Sequence, residues 1–133
     1  MMLSVIPSHP GQPSEVPDEF GQPLDITPDA AQMAALAPQV VDALRTVFDP
    51  EIPVNIYDLG LIYDVLVDAD RQVGIRMTLT APACPAAQTL PGEVREAAKR
   101  VEGVSSARVE IVFDPPWAMD RMTEAARLQL GLL

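Results

Sequence analysis

The chain has 133 residues, enough for one domain with a real core, and its single cysteine rules out an internal disulfide. A formal net charge of −10 at pH 7 argues against a nucleic-acid binder, since phosphate neutralisation needs clustered Lys and Arg, and disfavours an anionic membrane surface, so neither is an expected partner. No apolar run reaches the length of a membrane span, the first residues lack a secretory pattern, and a lone cysteine suits a reducing compartment; a cytoplasmic protein is expected.

Residues 1–38 hold seven of the 14 prolines, no Lys or Arg, and the acids Glu15, Asp18, Glu19, Asp25 and Asp29. Proline fixes φ and removes backbone donors, so this stretch is expected to be a disordered, acidic N-terminal arm, with the domain proper at 39–133. One exception is a short helix with Thr27 as N-cap and Pro28 at the first position, running to Leu36. His9, the only histidine, lies in this arm and receives no role. From Val40 the spacing of Val40, Val41, Leu44, Val47 and Phe48 predicts a helix that Asp49-Pro50 ends. An acidic loop follows to Gly60, a glycine that suggests positive φ or close backbone approach.

The next stretch reads as a hairpin. Its first strand, about Leu61 to Val67, directs Tyr63, Val65 and Val67 to one face. In its second, Val73, Ile75, Met77 and Leu79 alternate with Gly74, Arg76, Thr78 and Thr80, which gives one core face and one more polar face. After Cys84-Pro85 a helix carries Leu90, Val94, Ala97, Ala98 and Val101; it either kinks at Pro91 or starts near there with Thr89 as cap. Gly103 ends it. A third strand, about Ala107 to Phe113, points Val109, Ile111 and Phe113 inward, and a last helix carries Met119, Met122, Ala126 and Leu130. The fold class is α/β (α+β): one domain of order α-β-β-α-β-α, with a small mixed three-stranded sheet covered by helices.

Cys84 stands at the junction of a strand pattern and a helix pattern. A free cysteine is most simply a small buried hydrophobe, but a sulfur near a helix N-terminus has a lowered pKa and can act as nucleophile or soft-metal ligand. One Cys and one His, far apart, cannot build a four-ligand zinc or cluster site within one chain, and a Cys–His catalytic pair is equally unsupported. Asp49, Glu51 and Asp58 could supply oxygen ligands or a base, although acids in such loops mostly cap turns. Trp117 reads first as a lid on the core whose indole N–H needs a partner.

Five stretches, taken in order, resemble the SufT-like iron–sulfur cluster assembly family, which includes PaaD-like proteins. They are Asp49-Pro50-Glu51-Ile52-Pro53, Ile56 to Ile62, Met77 to Pro85, Val101-Glu102-Gly103-Val104, and Asp114-Pro115-Pro116-Trp117. The resemblance covers residues 39–133 and is nearest to bacterial members of the SUF pathway. It implies a factor that helps deliver iron–sulfur clusters to recipient apoproteins, with assembly proteins and those apoproteins as partners. It also implies a homodimer and a transient cluster held at Cys84, shared between subunits. Asp49, Glu51 and Asp58 match the family's acidic positions and Trp117 its aromatic one. Two departures stand out: Phe113 occupies a position where many members have Trp, and the Cys-rich C-terminal metal site of PaaD itself is missing, which disfavours a role with phenylacetate oxygenase. Two other readings compete with the cluster carrier. One is an adaptor that docks on assembly machinery or clients without touching iron; the other is a thiol-dependent enzyme or redox sensor, for which no general base is in evidence.

Overall fold

The computed structural model describes residues 18–50, 52–80 and 89–132. Helix α1 (Ala30–Leu44) forms because Leu36, Val40 and Leu44 recur every fourth residue and bury one stripe. The Asp29 carboxylate caps it by accepting a hydrogen bond from the Gln32 N–H at 3.0 Å. The expected boundary at residue 38 therefore falls inside a helix that starts at Ala30, and its cap is Asp29 rather than Thr27. Pro38 sits in the helix interior, where it costs roughly 3 kcal/mol. The buried stripe continues on both sides of it, so packing overrides the local penalty. Phe20 and Ile26 are also buried, which corrects the disordered-arm reading for residues 18–38. Residues 1–17 of that expected arm lie outside the described residues.

At its other end α1 stops at Leu44, four residues before Phe48. Val47 remains in the core, while Phe48 turns outward, 51% exposed, and forms an isolated bridge with Asn55.

The sheet contains β1 (Ile62–Val67), β2 (Gln72–Met77) and β3 (Ser106–Ile111) in that spatial order. β1 and β2 form the expected antiparallel hairpin, and β3 lies parallel to β2 on its other side. Val73, Ile75 and Met77 are fully buried, as the alternation predicts. In β1 the alternation fails at Tyr63. The register steps from Ile62↔Met77 to Asp64↔Arg76, which inserts one extra residue as a β-bulge. Ile62 takes the inward place against the core, and the Tyr63 hydroxyl instead donates to Pro115 O at 2.6 Å on the rim.

Helix α2 (Leu90–Lys99) links β2 to β3, with Thr89 as N-cap and Pro91 in its first turn, where a missing N–H has no intrahelical partner to lose. Leu90, Val94, Ala97 and Ala98 seal the core together with α1. Beyond β3, Phe113 is 37% exposed rather than inward. The expected last helix is split into a 3-10 turn (Met119–Arg121) and helix α3 (Glu124–Gln129), which Thr123 caps through its hydroxyl to the Ala126 N–H at 3.2 Å. Met122 and Ala126 are buried, whereas Met119 is 54% exposed.

On the face of the sheet away from α1 and α2, one charged residue from each strand forms a row. Arg76 Nη1 lies 2.8 Å from Asp64 Oδ2, and Arg76 Nε lies 3.2 Å from Glu110 Oε1. The hydrogen bond to Asp64, opposed by burial and assisted by Glu110, raises the Arg76 pKa above its ordinary value. This face was expected to be polar, and it is, except around Gly74, where Leu24 and Ile26 lie across it.

Candidate functional site

The register fixes which loops meet. Ile62, Met77 and Ile111 form the last row of the sheet, and beyond it Thr78 N–H donates to Leu61 O and Val112 N–H to Met77 O, each at 2.8 Å. The loop entering β1, the segment leaving β2 and the segment leaving β3 therefore all stand at this one end. It is the carboxyl end of the parallel pair β2 and β3, where α/β units place their ligand sites. Thr78 and Leu79, where the chain leaves β2, are buried, and Thr80 after them is half-buried.

Cys84 belongs to that connection and lies outside the described residues, as does Glu51. The described helix after it begins at Leu90 with Thr89 as its N-cap. This start, with Thr89 as cap, is the second of the two readings for Pro91; the first, a helix begun at Ala86, concerns positions outside the described residues.

Asp49 is 6% exposed, and its Oδ1 accepts from the Ile52 N–H at 3.1 Å, the turn-capping geometry that short acids favour. Asp58 is reciprocally bonded to Asn55: its Oδ2 accepts from Asn55 Nδ2 at 2.9 Å, and its N–H donates to Asn55 Oδ1 at 2.8 Å. Arg45 reaches Asp58 Oδ1 at 3.7 Å and also stacks over the Tyr57 ring, 4.8 Å from its centroid. Among the described residues no group of three or more His, Cys, Asp or Glu is placed to hold a metal ion.

Trp117 has the partner that its indole requires: Nε1 donates to Leu59 O at 2.8 Å. The ring packs against the core and lines an open apolar groove of about 380 Å³ with Ile52, Leu59, Met119, Met122 and Leu130. Two further ties join the loop before β1 to the segment after β3. Thr123 N–H donates to Asp58 O at 2.9 Å, and a β-carbon on Gly60, whose φ is +89°, would stand 2.5 Å from Arg121 O. The Arg121 guanidinium covers the Tyr63 ring at 4.5 Å. The structure thus brings Asp49, Asp58 and Trp117 to one end of the sheet. Sequence reasoning missed Arg45, Tyr63 and Arg121, whose contacts depend on the bulge and on loop docking; no periodic pattern marks them.

With this geometry established, comparison with known proteins identifies the group. The sequence model of a family described as "Iron-sulfur cluster assembly protein" matches residues 37–111. The chain belongs to this family. It is 53% identical over 94 residues to a "Fe-S protein maturation auxiliary factor" of Porphyromonas gingivalis, covering 71% of this chain and 90% of that one. It is 42% identical over 98 residues to the "Fe-S protein maturation auxiliary factor YitW" of Bacillus subtilis, covering 74% and 96%. Among solved structures, a DUF59 domain from Bacillus anthracis superposes with a TM-score of 0.73 at 34% identity, over 79% of this chain and all of that one. The family expected from the five motifs and the mixed-sheet fold are both established. No helix among the described residues is long and apolar enough to cross a membrane.

Proposed function

We propose that this chain is an iron–sulfur protein maturation factor that helps pass an assembled cluster to recipient apoproteins, with Cys84 as the ligand it lends to the cargo. The observation that carries this reading is the 53% identity to a protein named as such a factor, over 90% of that protein's length. The chemistry agrees. A thiolate is the ligand that iron–sulfur clusters prefer, and one cysteine per chain gives an incomplete set. An incomplete set suits cargo in transit, because the remaining ligands are supplied by a second copy in a homodimer, by an assembly protein or by the recipient. Asp49, Asp58 and Trp117 hold the loops around the sheet end in place. The factor binds and transfers rather than catalyses, in a cytoplasmic setting.

The test is anaerobic reconstitution with iron and sulfide, followed by transfer to an apoprotein, for wild type and Cys84→Ser. Wild type is expected to show thiolate-to-iron absorption and a cluster Mössbauer signal and to speed activation of the recipient; Cys84→Ser should lose both. Wild type without a cluster, together with Cys84→Ser that still supports maturation in cells, would overturn the carrier reading and leave the adaptor.

A further inference from the structure

We propose that the outer face of the sheet is a docking surface for an extended peptide segment, and that residues 22–28 occupy it in this chain as a built-in competitor. The strap is anchored at both ends. On one side the Asp29 N–H donates to Val67 O at 2.8 Å; on the other Phe20 is buried, with Arg95 over its ring at 5.2 Å and bonded to Glu19 at 2.9 Å. Between these anchors the strap is not a fourth strand. Its described polar holds are the Leu24 N–H to Glu110 Oε1 at 3.2 Å and Arg108 Nη2 to Asp25 O at 3.5 Å, and both engage side chains of β3.

The apolar hold is a notch. Gly74 lacks a side chain at the centre of the face, and a β-carbon built there would lie 2.8 Å from Ile26 Cγ1 and 3.1 Å from Leu24 Cδ1. Ile26 is 9% exposed yet belongs to this face and not to the main core cluster. Removing the strap leaves no orphaned charge, because Glu110 keeps its bond to Arg76. The family match begins at residue 37, so the strap lies outside the part of the chain that defines the family, whereas Gly74, Arg76, Arg108 and Glu110 lie within it. The contacts specify the occupant: an extended segment with two apolar side chains flanking one acidic residue, as in Leu24-Asp25-Ile26. Its backbone N–H meets a carboxylate, and its carbonyl meets an arginine.

The test uses the full chain and a labelled peptide with the sequence of residues 18–29. Hydrogen exchange in wild type is expected to show the Leu24 amide opening about 100-fold more readily than the Ile75 and Val109 amides. Leu24→Asp with Ile26→Asp should free the face and bind the peptide about 100-fold more tightly than wild type, which is the reduction that a strap open about 1% of the time imposes. Adding Gly74→Val should abolish that binding. A cooperatively folding double variant that ignores the peptide, or binds it equally with Gly74→Val, overturns the proposal. Should the double variant fail to fold, wild-type exchange decides: Leu24 exchanging at the rate of Ile75 makes the strap an integral part of the fold.

Discussion

Gly60 and Trp117 hold the loop before β1 and the segment after β3 together by two different means. At Gly60 the means is the absence of a side chain: φ is +89°, and a β-carbon would meet the Arg121 carbonyl. Gly60→Ala is expected to destabilise the chain by about 1–3 kcal/mol through the strained φ alone, with more from displacing the backbone at Arg121. Urea unfolding should show that loss, and hydrogen exchange should show the Thr123 amide opening with it, since that amide is bonded to Asp58 O. At Trp117 the means is a donor. Trp117→Phe keeps most of the ring in the groove and removes only the N–H to Leu59 O, so the expected cost is about 1 kcal/mol. Unchanged stability in urea would mean that water replaces the bond.

Helix α1 depends on one cap and one stripe. Asp29→Ala removes the acceptor for the Gln32 N–H and should lower the unfolding free energy by about 1 kcal/mol, whereas Asp29→Asn should restore most of it. Both are readable by chemical denaturation. Elements of this kind show how far the sequence could be read. The β2 alternation and the Leu90–Val94–Ala97 stripe were legible because period and burial coincide there. The start of α1 was not, because seven prolines dominate the local signal while the stripe through Leu36, Val40 and Leu44 acts through tertiary contact across Pro38. The inward Tyr63 was misplaced for a related reason: the bulge between Ile62 and Asp64 changes the phase of the alternation, so Val65 and Val67 keep their inward places while Ile62 takes the one expected of Tyr63, and no local pattern announces it. At the candidate site the five motifs located Asp49, Asp58 and Trp117, but not the loop ties made by Arg45, Tyr63 and Arg121, which exist only once the loops have docked. The row Asp64–Arg76–Glu110 became visible only with strand order. Its pH sense follows from Arg76: a raised folded-state pKa contributes stability that is fully present below the ordinary arginine value and lost only as pH rises past the folded one, so this residue adds no pH dependence near neutrality.

For the whole molecule, the decisive question is where the fold begins along the chain. A boundary at residue 38 cuts α1 in half and removes Phe20, Ile26 and Leu36, three buried apolar side chains on two faces of the structure. Each such side chain is worth on the order of 2–5 kcal/mol when lost from a packed site, and a domain of this size has only about 5–15 kcal/mol in total. Deletion of residues 1–38 is therefore expected to abolish cooperative unfolding or to lower the thermal midpoint by well over ~10 °C. Deletion of residues 1–17 leaves the Glu19–Arg95 bond, the buried Phe20 and the Asp29 cap in place, and the midpoint should stay within a few degrees of the full chain. Circular-dichroism melts of the two truncations decide the matter. Equal, cooperative transitions in both would show that the family region from residue 37 onward folds unaided and that the strap and the first turns of α1 are additions to it. Collapse of the longer truncation alone would make residues 18–36 part of the domain, with the strap's anchors at Phe20 and Asp29 belonging to the fold and only its middle free to be displaced.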